Sequence, residues 1–143
     1  MTPAFTHCAL HVQDVDASIS FYEQYCGMKV VLSHGSNPEE RTVWMAEKGR
    51  ESDFVLVLVS RGKRQSRMEG DMTHYGFALG SRDEVDAIAK RAKGEGLLHW
   101  EAQDLPSPVG YICAVCDPDG YVVEFSYGQP LGPGASDKSH VNQ

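Results

Sequence analysis

Apolar and polar positions alternate from Phe5 to Val12, which predicts a strand. Phe5, His7, Ala9 and His11 fall on one side of it and Thr6, Cys8, Leu10 and Val12 on the other. The period then lengthens. Val15, Ile19, Tyr22 and Cys26 recur at helical spacing, behind Asp14 or Asp16 as a cap and ahead of Gly27 as the residue that ends the helix. Strands are predicted over Met28–Ser33, Arg41–Glu47 and Asp53–Ser60, separated by a loop at 35–38 and a polar turn at 48–52. After a basic stretch, 61–67, the same succession returns. A strand covers Met72–Gly80. Ser81-Arg82-Asp83-Glu84 is a capping box, and Val85, Ile88, Ala89 and Ala92 form the apolar stripe of a helix ending at Gly94 or Gly96. Strands follow over Leu97–Ala102, Tyr111–Cys116 and Tyr121–Tyr127, with a loop at 105–110.

The order strand, helix, three strands therefore occurs twice, at a fixed offset. His7 and His74 lie 67 residues apart, and so do Val57 and Glu124. Small residues surround the polar members of this set: Ala9, Gly76, Ala78 and Ser126 share their faces, while bulky apolar side chains fill the opposite ones. Small neighbours around polar groups predict a cavity rather than a core.

Glu124 draws attention within that pattern. It follows Asp117-Pro118-Asp119-Gly120, a strong turn signal, and is flanked by Val122, Val123 and Phe125. A carboxylate in such a strand is costly unless something compensates it, and a metal ion is a common compensator.

Composition narrows the function classes. A chain of 143 residues forms one compact domain or two small modules. A net charge of −7 argues against nucleic acid or an anionic membrane as partner. The longest apolar run, 54–59, is too short to span a bilayer, and no secretory signal is evident, so a cytoplasmic location is expected. Cys8, Cys26, Cys113 and Cys116 are expected as free thiols. Cys113 and Cys116 have CxxC spacing, but in a strand they face opposite ways and read as small buried hydrophobes. The segment Arg61-Gly62-Lys63-Arg64-Gln65-Ser66-Arg67 reads either as a solvated connector or, against the acidic background, as a clamp for an anionic group. Residues 129–143, rich in Gly, Pro and Ser, are expected to form a flexible tail.

Three stretches together resemble the vicinal oxygen chelate superfamily of glyoxalase I, fosfomycin-resistance thiol transferases, bleomycin-binding proteins and extradiol dioxygenases. They are His7-Cys8-Ala9-Leu10-His11-Val12-Gln13-Asp14 through Ser20-Phe21-Tyr22-Glu23, Thr73-His74-Tyr75-Gly76-Phe77-Ala78, and Asp117-Pro118-Asp119-Gly120 through Glu124. The resemblance implies an α+β fold of two βαβββ modules forming an open eight-stranded barrel with a metal site in the cleft. It covers a single domain at 4–128, with module one at about 4–62 and module two at about 71–128. It makes His7, His74 and Glu124 the ligands of one divalent ion (Mn, Fe, Ni, Co or Zn), a donor set with open positions. His11 shares the face of His7, where it contacts substrate or sits at the rim. Arg64 and Arg67 of the basic loop are the candidate contacts for an anionic substrate.

The chain also departs from each subfamily. Val57 stands where glyoxalase I has a glutamate that binds metal and shuttles a proton, and His11 where it has an arginine for glutathione. Fosfomycin enzymes have a threonine at the place of Ala9, a tyrosine at that of Ala114 and an arginine soon after the glutamate. Extradiol dioxygenases have a catalytic His and Tyr in the stretch here holding Pro106, Ser107 and Ala114. The function expected is a metal-dependent glyoxalase-like lyase, isomerase or thiol transferase acting on a small oxygen-rich, anionic molecule, with glutathione or another thiol as a candidate co-substrate. A metal-free binding protein of bleomycin-resistance type is the alternative and an extradiol-type dioxygenase the third reading. By analogy with the superfamily, a homodimer is expected.

Overall fold

The computed structural model of the chain describes residues 1–132 and Ala135. It divides into two units, Met1–Asp71 and Met72–Gln143. Most of the segment expected to be a tail, 133–134 and 136–143, lies outside the described residues.

Module one runs β1 (His7–His11), α1 (Val15–Cys26), β2 (Met28–His34), β3 (Thr42–Glu47) and β4 (Val55–Val59). Module two runs β5 (His74–Ala78), α2 (Arg82–Glu95), β6 (Leu98–Leu105), β7 (Gly110–Cys116) and β8 (Val122–Tyr127). The class is α+β, with two βαβββ modules, as expected. Each module builds one four-stranded sheet, ordered β1-β4-β3-β2 in the first and β5-β8-β7-β6 in the second. The first and last strands of each module pair in parallel, and the other pairs are antiparallel.

The helices form where the sequence supplies caps. Asp14 accepts from the Ala17 backbone N–H at 3.1 Å, so Asp14 rather than Asp16 is the N-cap of α1. Ser81 accepts from the Glu84 N–H, while the Glu84 carboxylate reaches back to the Gly80 N–H at 2.8 Å. Gly27 and Gly96 end the two helices in the left-handed conformation (φ 63° and 74°), which L side chains adopt reluctantly. The buried face of α1 is Val15, Ser18, Phe21, Tyr22 and Tyr25, rotated from the expected stripe; Ile19 and Cys26 are only half-buried. Aromatic stacking, with the Phe21 and Tyr25 rings 4.8 Å apart, favours that rotation. In α2, Val85, Ala89 and Ala92 are buried as expected and Ile88 is half-buried.

Each helix packs against strands of its own module's sheet. In module two, the Cys113 thiol donates to the Val85 carbonyl of α2 at 3.7 Å. Burial pushes that thiol up to about 12, so it stays protonated and unreactive near neutral pH. All four cysteines are free, and Cys113 and Cys116 form no disulfide.

Two local expectations are corrected. Strand β6 continues to Leu105 instead of stopping near Ala102, and a short turn replaces the expected loop at 105–110. Its register against β7 shifts at Trp100 and again before Gln103, so simple alternation is interrupted where the strand continues. The loop at 35–38 leads into a 3₁₀ turn, Pro38–Glu40, capped by Asn37. No helix among the described residues is long and apolar enough to cross a membrane.

Candidate functional site

Strand β8 is aimed by the turn before it. The Asp117 carboxylate accepts from the Asp119 and Tyr121 backbone N–H groups, both at 2.9 Å, and the Gly120 N–H donates to the Asp117 carbonyl. This buried aspartate is therefore spent on turn geometry. The chain leaves the turn as β8, with Glu124 paired to Gly76 on one side and to Ala114 on the other. Glu124 is 9% exposed.

His74 opens the neighbouring strand. Its Nδ1 lies 2.7 Å from the Met72 carbonyl oxygen. A carbonyl only accepts, so Nδ1 carries a proton, and the neutral ring keeps its lone pair on Nε2. That nitrogen lies 3.9 Å from Glu124 Oε1. The separation is too long for a hydrogen bond, so the two groups face each other without a direct bond. Gly76 makes room for the carboxylate: a Cβ there would lie 3.3 Å from Glu124 Oε2. The donor types of this pair, one imidazole nitrogen and one carboxylate, fit a divalent transition metal.

Two contacts at this spot were not legible in the sequence. Gln129 donates to Glu124 Oε2 at 3.4 Å. It follows the last strand and falls in the stretch expected to be a tail. The Trp100 ring meets the His74 ring edge-on, with centroids 5.3 Å apart. Two register shifts lie on the path from β8 to Trp100, so alternation could not locate it. Gly76 acts by what it lacks, and the signal for it is its cross-strand partner rather than its neighbours in the chain.

His7, the third expected ligand, is in module one, exposed at the start of β1, with Nδ1 3.0 Å from Thr6 Oγ1. His11 ends the same strand, half-buried and paired in register with Val59. Among the described residues, no three His, Cys, Asp or Glu side chains are gathered as a metal cage; His74 and Glu124 are the expected ligands brought together. Arg67 donates to the Asp71 carbonyl at 2.7 Å and has the Asp71 carboxylate 3.9 Å away, so part of its charge is already answered. Arg64 is half-buried in the same loop.

Two cavities lie in module one among the described residues. One, of about 800 Å³, is bounded by Gln13, His34, Glu39, Glu40, Ser60 and Arg61 among others and holds none of the expected site residues. The other, of about 520 Å³, lies on the His7 face.

Residues 4–125 match the sequence model of the Glyoxalase/Bleomycin resistance protein/Dioxygenase superfamily. An uncharacterized protein of Pseudomonas aeruginosa is 50% identical over 135 residues, 94% of this chain and 96% of its own length. Lactoylglutathione lyase of Haemophilus influenzae is 32% identical over 123 residues, 83% of this chain and 88% of its own. Among solved structures, a mutant fosfomycin resistance protein FosX of Listeria monocytogenes, complexed with manganese(II) and dihydroxypropylphosphonic acid, has a TM-score of 0.67. It is 19% identical over 88% of this chain and 90% of its own, a likeness of fold.

Proposed function

Because the chain belongs to the Glyoxalase/Bleomycin resistance protein/Dioxygenase superfamily, we propose that it is a divalent-metal-dependent, glyoxalase-like enzyme. His74 and Glu124 of module two would hold the ion, together with His7 of module one, from the same chain or a second copy. One observation carries the reading: the Nε2 lone pair of His74 and the Glu124 carboxylate face each other across 3.9 Å, with the imidazole proton held on the far nitrogen by Met72. The manganese(II) bound by FosX, a protein of the same fold, supports it. Mn, Fe, Ni, Co and Zn all suit two imidazoles and a carboxylate.

When bound, such an ion supplies Lewis acidity to a substrate oxygen on which negative charge develops. The chain's own residues do the rest. The Met72 carbonyl fixes the His74 tautomer and ring orientation. Gly76, paired with Glu124, leaves room for its carboxylate. Arg64, Arg67 and His11 are the proposed contacts for its anionic group. Val57 cannot take up a proton, so any proton transfer uses another base. This favours a lyase, isomerase or thiol transferase that needs no carboxylate from module one, with glutathione or another thiol as the co-substrate in the last case. We place the protein in the cytoplasm as a homodimer.

Elemental analysis of protein purified without chelators and reconstituted with each candidate metal tests the reading. The expected result is close to one ion per chain, lost in His74→Ala and Glu124→Gln. Wild-type protein that holds no near-stoichiometric metal would overturn it and leave a metal-free binding protein of bleomycin-resistance type.

A further inference from the structure

After β8 the chain stays on the sheet. Gly128 turns it at φ 92°, a value that L side chains adopt reluctantly. The turn is seated on the start of β7: a Cβ on Gly110 would lie 2.5 Å from the Tyr127 carbonyl oxygen and 3.4 Å from the Gln129 nitrogen. Pro130 is buried, and Gly132 comes so close to β5 that a Cβ on it would meet the Ala78 side chain at 3.3 Å. Ala78 shares its face of β5 with His74 and Gly76, and its partner on β8 is Ser126, two residues beyond Glu124. Residues 128–132 therefore form a strap on the face of the module-two sheet that carries His74 and Glu124.

The strap brings one donor to the site. The half-buried Gln129 side chain places its amide Nε2 3.4 Å from Glu124 Oε2. An ionised carboxylate only accepts, so the amide nitrogen is the end that faces it. The hydrogen bond is long, but it falls on one oxygen alone. Oε2 is also the oxygen nearest the missing Cβ of Gly76, whereas Oε1 faces His74 Nε2 at 3.9 Å. A carboxylate rotates readily about its last torsion, so a donor fixed on one oxygen decides where the other points. A neutral amide suits that task better than a cation. Lysine or arginine would answer the charge of Glu124 and compete with an ion for it, while glutamine orients the carboxylate and leaves its charge in place.

We propose that Gln129 is a positioning residue of the metal site, held on Glu124 by the 128–132 strap, and that it directs Oε1 toward an ion shared with His74. The proposal rests on the metal-enzyme reading for the ion; its geometry lies within module two alone. The segment that follows β8 is thereby part of the site.

Gln129→Met tests this, because methionine keeps the length of the side chain and removes the donor. Affinity for Zn²⁺ and Mn²⁺ is measured by competition with a chromophoric chelator, and folding by thermal unfolding. Gln129→Met should bind the ion about tenfold more weakly, with a melting temperature within about 2 °C of the wild type. Gly132→Val, strained at φ 83° and pressed on Ala78, should lift the strap and weaken binding by a similar factor; the double variant should lose no more than either alone. The contact itself is read without metal. The side-chain NH₂ signals of Gln129 in ¹⁵N-labelled protein are assigned by their absence in Gln129→Met, and they should move in Glu124→Gln and in Gly132→Val. An ion bound by the wild type with an affinity that Gln129→Met leaves unchanged or raises would overturn the positioning role and leave the metal reading standing. Additive losses in the double variant, or Gln129 signals indifferent to Glu124→Gln, would overturn the strap. Wild-type protein that takes up neither Zn²⁺ nor Mn²⁺ would overturn the metal reading and the ion's part of this proposal, while the NH₂ signals still decide the contact.

Discussion

The carboxylate of Glu124 occupies space that Gly76 leaves empty. Gly76 has no positive φ among the backbone angles of this chain, so alanine fits its conformation and tests the close approach alone. The added methyl would lie 3.3 Å from Glu124 Oε2 and push the carboxylate aside. Gly76→Ala should therefore weaken metal binding about tenfold while changing the melting temperature little. Competition with a chromophoric chelator measures the first and thermal unfolding the second; unchanged affinity would remove Gly76 from the site. The burial of Glu124 was legible in the sequence, because Val122, Val123 and Phe125 on either side of it carry the strand into the interior. The role of Gly76 was not, since it depends on a partner 48 positions away in the chain.

At the level of elements, the turn before β8 sets where Glu124 points. Its Asp117 carboxylate accepts two backbone N–H groups inside the protein, and hydrogen bonds to a charged group are among the stronger ones. Asp117→Ala should cost about 3 kcal/mol of stability, read from the midpoint of urea unfolding, with Asn recovering part of it. A loss below about 0.5 kcal/mol would show that the turn holds without its side chain. Folded Asp117→Ala protein should still take up metal, which separates a residue that positions β8 from one that binds the ion. Most elements were legible because caps, glycines and periodicity agreed about them. β6 was not, because Gln103 and Asp104 look like loop residues until their pairing with Ile112 and Tyr111 is known. The stripe of α1 was misplaced for a related reason: Ser18 is buried and Ile19 only half-buried, an inversion that packing imposes and hydrophobicity does not foretell.

Over the whole molecule, an acidic chain of net charge −7 keeps four cations in the seven residues from Arg61 to Arg67. If this loop meets an anionic substrate, affinity must fall with ionic strength. Calorimetric titration of the metal-loaded protein with methylphosphonate should show that fall. Arg64→Gln and Arg67→Gln should each weaken binding several-fold. Affinity indifferent to salt and to both variants would make the loop a plain connector. The repeat was the most legible feature at this scale, because an offset of 67 residues links both strand pairs that carry the expected ligands and the structure keeps it in their registers. The pairing of His74 with Glu124 was legible only in part, since periodicity gives each strand's face and not the distance between two side chains. The Val57–Glu124 equivalence also sets a genetic distance. Every valine codon becomes an aspartate or glutamate codon by one change at its second base. A single nucleotide therefore separates this chain from one with a carboxylate at the matching place in both modules, a change that directed evolution can reach in one step.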